Sequence, residues 1–184
     1  MKPHYENPQK NVATFKAMFE GSNIDWAVIG GIAAIYRGTD KRETVDADFV
    51  VSELGNLEEQ LTLLGPKWFK ITREPDGTPY LIQGETGDGM HFDIYVQGID
   101  FELEVLATKD DNHIASAEAI IVYKLMAMRP QDISDIESIL KAHPNFEGLD
   151  IEFINKWAAE CSVSEQWAEF VNRSKLRSKV SRQG

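Results

Sequence analysis

The sequence predicts a mixed α/β (α+β) domain, a mixed sheet with flanking helices over residues 1–110, followed by a C-terminal helical region with a basic tail over 111–184. Three observations carry this prediction. Short runs rich in β-branched and aromatic residues recur between Trp26 and Val96. Helical stripes separate some of these runs. From Ala115 onward the apolar spacing is helical throughout, with no further strand pattern.

The elements follow in order. Val12, Phe15, Met18 and Phe19 stand at helical spacing within residues 8–20, and Gly21-Ser22-Asn23 ends that helix. Ala27-Val28-Ile29 reads as a buried strand within 25–30, and Gly30-Gly31 lets the backbone turn tightly into a helix over 31–37. Gly38–Lys41 is a loop into a strand at 45–51. Leu54, Leu57, Leu61 and Leu64 form a helical stripe stopped by Gly65-Pro66, and a helix between two strands suggests a crossover. Strands at 68–72 and 78–83 flank Asp76-Gly77, a hairpin turn signal. Residues 84–89, with three glycines, read as a flexible connection into an alternating strand at 91–96. Gly98 then separates that strand from another at 101–106. Helices are expected at 116–128, 131–142, 150–161 and 163–177.

Composition bounds the function. The chain has 184 residues, enough for a core without staples. Its single cysteine, Cys161, excludes an internal disulfide and fits a reducing compartment, so a cytoplasmic protein is expected. No apolar run approaches the ~20 residues of a membrane helix, and the first ten residues hold no apolar signal core. A net charge of −11 argues against a generic nucleic-acid coat and suits a small cationic partner. Yet residues 173–184 carry Arg173, Lys175, Arg177, Lys179 and Arg182 and no acid. This tail is either a helix end whose cations face the helix dipole or an RNA-steering arm.

The chemistry concentrates between Trp26 and Val51. Asp46 and Asp48 are two apart on a strand, so both carboxylates leave one face, with Cα atoms about 6.5–7 Å apart. Val45, Ala47 and Phe49 face the other way, into the core. Two parallel carboxylates repel, and a fold that keeps them together usually holds a cation between them; hard oxygen ligands suit Mg²⁺ or Mn²⁺. The same acids also fit the polar face of a half-buried edge strand. A glycine turn that opens a helix is a phosphate cradle, although Gly30 and Gly31 equally permit close strand–helix packing. Arg42 offers a guanidinium fork suited to phosphate oxygens. Thr44 is either a hydroxyl donor or a β-branched strand residue. If the strand begins early, Arg42, Thr44, Asp46 and Asp48 share one face. A phosphate cradle beside metal-binding carboxylates points to nucleotide chemistry.

The pattern strand-Gly-Gly-helix followed by R-x-T-x-D-x-D resembles the nucleotidyltransferase superfamily with a DNA-polymerase-β-like palm, and within it the small bacterial enzymes of the AbiEii type IV toxin group. The likeness covers residues 25–140. It implies a polymerase-β-like palm and a third carboxylate from a later strand, which His91-Phe92-Asp93-Ile94-Tyr95-Val96 offers as Asp93. Asp46, Asp48 and Asp93 would then be catalytic and metal-binding. The resemblance also extends to a lysine-bearing helix and an R-x-x-D-x-x-D-I turn, here Lys124 and Arg129 to Ile136. It makes Lys124 a candidate cation for the triphosphate, beside Gly30, Gly31, Arg42 and Thr44; the other reading is a lysine whose stem snorkels to water.

The implied reaction transfers an NMP from an NTP such as ATP to a hydroxyl of RNA or protein, toxin-like, with Mg²⁺ or Mn²⁺ and release of pyrophosphate. The chain departs from the family in places. Many members have Gly-Ser where this chain has Gly30-Gly31, so backbone amides must replace a serine hydroxyl. The CCA-adding branch follows Gly-Gly with an Arg-Asp pair that is absent here. Lincosamide nucleotidyltransferases carry a histidine where Thr44 stands. A small-molecule (antibiotic) nucleotidyltransferase and a non-catalytic, antitoxin-type nucleotide- or partner-binding palm stay open as alternatives.

Overall fold

The structure, a computed structural model, describes residues 8–40, 43–44 and 46–180. The chain divides into two compact units, Met1–Tyr36 with Lys41–Ala115, and Arg37–Asp40 with Ser116–Gly184. The first unit is built on a five-stranded mixed sheet. In chain order its elements are α1 (Pro8–Ser22), β1 (Trp26–Ile29), α2 (Gly30–Arg37, whose last residue belongs to the second unit), β2 (Asp46–Val51), α3 (Leu57–Leu64), β3 (Trp68–Arg73), β4 (Pro79–Glu85), β5 (His91–Val96) and α4 (Asp100–Ala107).

The strand order is β1-β2-β5-β4-β3. β1 runs antiparallel to β2, β2 parallel to β5, and β5–β4–β3 continue antiparallel. Parallel neighbours cannot be joined by a tight turn. The chain between β2 and β5 therefore holds α3 and a whole hairpin, β3–β4, closed by Glu74–Thr78. There the Glu74 amide donates to the Thr78 carbonyl at 2.8 Å, and the Asp76 carboxylate accepts from the Thr78 amide at 2.9 Å. The outer edge of β1 is covered by His113–Ala115: the Val28 amide donates to the His113 carbonyl at 2.7 Å, and the Ala115 amide to the Val28 carbonyl at 3.0 Å. An edge paired in this way offers no template to another chain.

One sheet face carries the core. Trp26, Phe49 and Phe92 alternate onto it and meet Phe15 and Phe19 from α1. Phe49 is central, with ring centroids 4.9 Å from Phe15, 5.2 Å from Phe19 and 6.3 Å from Trp26. Gly84 is required beside this cluster, because a Cβ there would stand 2.3 Å from Cζ of Phe92, its partner across β4–β5. β4 accordingly runs on to Glu85, through residues whose glycines suggest a loose connection in the sequence.

Residues 101–106 are a correction. Their alternation suggests a strand, but they lie in α4. Phe101, Val105 and Leu106 are buried at helical spacing while Leu103 is 49% exposed, the reverse of what a strand would bury. Glu102 starts the helix, its carboxylate accepting from the amides of Gly98 at 2.7 Å and Ile99 at 3.2 Å.

The second unit holds α5 (Ala117–Ala127), α6 (Pro130–Ala142), a 3₁₀ turn (Pro144–Phe146), α7 (Ile151–Glu160) and α8 (Ser164–Val180). α5 is its central helix, with Ala119, Ile120, Ile121, Val122, Lys124 and Leu125 all buried. Ser116 caps it, accepting from the Ala119 amide at 3.1 Å. α8 carries Arg173, Lys175, Arg177 and Lys179 of the basic tail, and Arg182 lies outside the described residues. Among the described residues no helix is long and apolar enough to cross a membrane.

A buried ionic cluster ties α5 to α6. The Lys124 ammonium lies 2.8 Å from Oδ1 of Asp132 and 2.9 Å from Oδ2 of Asp135, all three side chains being buried. Arg129 adds its Nε at 2.7 Å and its backbone amide at 3.0 Å to Oδ2 of Asp132. Burial by itself would raise the Asp132 carboxyl, but the hydrogen bonds from Arg129 and Lys124 hold it down at about 2, below its ordinary 3.8.

Two predictions follow from these packing facts. Phe49→Ala should destabilise the protein by about 3–5 kcal/mol in chemical denaturation, because it empties the centre of a closed aromatic cluster. Asp132→Asn should lower the local stability of α5, read by amide hydrogen exchange, by about 3 kcal/mol at neutral pH, since it leaves a buried cation half-compensated. A carboxyl with a depressed folded pKa lends stability that is complete above its ordinary pKa and disappears as pH falls through the folded one. The gap between wild type and Asp132→Asn should therefore be full above about pH 4 and shrink toward pH 2.

Candidate active site

The polar face of the sheet collects the acids. β2 begins at Asp46, and its even-numbered residues Asp46 and Asp48 leave the face opposite the aromatic core, while Ala47 and Phe49 are buried. The parallel β2–β5 register sets Asp48 opposite Asp93 and Asp46 opposite His91. Residues paired across strands point to the same side, and neighbouring strands lie only about 4.8 Å apart. The row extends both ways, to Ile29 on β1 and to Gln83 on β4.

The glycine turn sits at the end of this row. Gly30 has φ +63°, and a Cβ on it would fall 1.8 Å from Oδ2 of Asp48. Only glycine allows both that backbone and that approach. The Gly31 amide, at the N-terminus of α2, donates to the same Oδ2 at 3.4 Å. One N-terminal amide of α2, that of Gly31, therefore already faces a carboxylate of the cluster.

Asp93 is half-buried. Burial raises its carboxyl above the usual range; hydrogen bonds from Gln83 oppose this, the charge of Asp46 adds to it, and His91 counters. Gln83 is a residue that reading the sequence passed over. Its Nε2 donates to both oxygens of Asp93, at 3.2 and 3.4 Å. The signal lay in the alternation of β4, which puts Gln83 on the polar face, but its partner depends on register.

The remaining candidates are placed differently. Thr44 precedes β2 and is half-buried, so the strand does not begin early enough to include it. Arg42 lies outside the described residues. Lys124 belongs to the helical unit; its stem does not snorkel to water, and its ammonium is held by Asp132 and Asp135.

Among the described residues no three Asp, Glu, His or Cys side chains close in tightly enough to hold a metal ion as they stand. The donor set nevertheless fits a divalent cation. Asp46, Asp48 and Asp93 offer oxygens alone, as Mg²⁺ and Mn²⁺ prefer.

No family model matches the chain, and no curated protein matches it. Solved structures do. ANT(2'')-Ia in complex with adenylyl-2''-tobramycin is 19% identical with a TM-score of 0.55, over 83% of this chain and 95% of that one. The solution structure of the same antibiotic-resistance factor gives 16% identity and a TM-score of 0.55, over 89% and 95%. A Helicobacter pylori protein proposed to be a nucleotidyltransferase is 17% identical with a TM-score of 0.55, over 97% and 98%. The mixed sheet with flanking helices is thus the nucleotidyltransferase fold.

The Gly30 geometry yields a prediction. Gly30→Ala must displace Asp48 and strain a left-handed backbone position, at a cost of about 1–2 kcal/mol. Thermal denaturation should show that loss, and a crystal structure of the variant should show the Asp48 carboxylate moved away from the Gly31 amide.

Proposed function

We propose that this protein is a metal-dependent nucleotidyltransferase that moves an NMP from an NTP to a hydroxyl acceptor and releases pyrophosphate. The observation that carries the reading is the side-by-side placement of Asp48 and Asp93 on parallel strands, with Asp46 on the same face and a glycine turn at its edge. Repelling acids held together by a sheet serve no packing purpose, whereas nucleotidyl transfer needs such a cluster beside a phosphate cradle.

In this reading the acceptor oxygen attacks the α-phosphorus as the bond to the pyrophosphate oxygen breaks. Asp46, Asp48 and Asp93 would hold Mg²⁺ or Mn²⁺, which supplies charge stabilisation for the entering and leaving oxygens when bound. The amides of Gly30 and Gly31, with Arg42 and Thr44 upstream of β2, bind the β- and γ-phosphates. Asp93 accepts the proton of the acceptor hydroxyl. Lys124, held by two aspartates, serves the architecture of the helical unit in this scheme rather than the triphosphate. The palm spans 1–110 and the helical region 111–184.

The resemblance to the AbiEii toxin group favours RNA or protein as acceptor, and the basic residues of α8 agree with RNA. A second reading, a small cationic acceptor, is favoured by the net charge of −11 and by the adenylylated tobramycin held by ANT(2'')-Ia. A cytoplasmic place of action suits both.

Purified protein incubated with labelled NTPs, Mg²⁺ and either total RNA, cell protein or aminoglycosides should label one acceptor class and release pyrophosphate. Asp46→Asn and Asp48→Asn should lower transfer by roughly 10²-fold or more without loss of folded protein, because each removes a repelling charge. Circular dichroism checks the fold. A folded Asp48→Asn variant that keeps wild-type turnover moves the chemistry elsewhere.

A further inference from the structure

The functional reading leaves one polar contact of the site unused. Gln83 stands opposite Asp93 in the antiparallel β4–β5 register, and its Nε2 reaches Oδ1 at 3.2 Å and Oδ2 at 3.4 Å. Packing does not demand a polar group here. Leu81, two residues earlier on the same face of β4 and equally half-buried, is apolar. A leucine or methionine would fill the position of Gln83.

A strand fixes where the Cβ of Asp93 lies, but not the plane of its carboxylate. That last torsion is broad and roughly two-fold, and only a partner can set it. The Gln83 amide is such a partner, because its Nε2 lies within reach of both oxygens and one of its hydrogens is shared between them.

We propose that Gln83 is the positioning residue of Asp93: it fixes the plane of that carboxylate for its work on the acceptor and the cation, and touches neither itself. The inference rests on the proposed nucleotidyl transfer and on the role given there to Asp93. It adds a requirement, that Asp93 must be oriented as well as present.

The test compares Gln83→Met, which keeps length and loses the donor, with Gln83→Ala, Gln83→Glu and Asp93→Asn, all beside the wild type. Gln83→Met should lower kcat for NMP transfer about 10- to 100-fold, the usual loss when a ligand's orienting partner goes. KM for the NTP should stay within about twofold and the thermal midpoint should hold, since orientation is lost and binding is not. Gln83→Ala should match it, and Gln83→Glu should fall further, with a second carboxylate facing Asp93. Adding Gln83→Met to Asp93→Asn should cost nothing more. Independently of turnover, the side-chain amide NMR signals of Gln83 should shift in Asp93→Asn.

A Gln83→Met protein with wild-type kcat, beside an inactive Asp93→Asn, overturns the inference while leaving the functional reading intact. So does a kcat loss that only tracks a loss of folded protein in both Gln83→Met and Gln83→Ala, or a Gln83 amide signal blind to Asp93→Asn. A wild-type protein that transfers no NMP to any acceptor overturns the functional reading, and the inference with it.

Discussion

Six residue pairs hold β2 against β5 in parallel, from Asp46 opposite His91 to Val51 opposite Val96, and the candidate site depends on this pairing. It is a non-local contact, because a helix and a complete hairpin intervene in the chain. Its stability comes from the far side of the sheet. Ala47, Phe49, Val51, Phe92, Ile94 and Val96 are buried there beneath the aromatic residues of α1. Since side chains alternate, locking those residues inward drives Asp46, Asp48 and Asp93 outward together. A register slip of one residue on either strand would bury an aspartate and expose a phenylalanine. The hydrophobic face therefore enforces the approach of the acids.

That approach is costly in isolation. Like charges on adjacent strands repel, and burial has already pushed the Asp93 carboxyl upward. Two local devices offset part of the cost. The Gly31 amide donates to Asp48 in a position that only a glycine at 30 leaves open, and Gln83 donates to Asp93. Both are neutral donors. Acids gathered on one face, with a half-buried member whose carboxyl is shifted upward, are characteristic of functional sites.

The helical unit solves the opposite problem. Lys124, Arg129, Asp132 and Asp135 carry two charges of each sign, so their cluster is neutral, and the carboxylates converge on cations supplied from within the chain. Such a cluster specifies how α5 meets α6 rather than adding much net stability. The contrast separates the two kinds of acid in this protein. Asp132 has cations of its own, and its carboxyl sits at about 2; at Asp93 burial, with the charge of Asp46, outweighs the Gln83 amide and His91, and its carboxyl moves the other way.

Local sequence was enough for much of the rest. The aromatic and β-branched runs named all five strands, Asp76-Gly77 named the hairpin, and the spacing of Asp46 and Asp48 put both on one face, because each of these depends on residues a few positions apart. Residues 101–106 misled for the same reason: three apolar residues in alternation fit either period until burial chooses between them, and α4 buries Phe101, Val105 and Leu106. The approach of Asp93 to Asp48, the hold of Gln83 on Asp93 and the capture of Lys124 by Asp132 and Asp135 were decided by tertiary structure alone. Each joins residues whose distance in space is set by strand order, register or helix docking, and those follow from how the whole apolar surface packs, not from any single segment's own pattern.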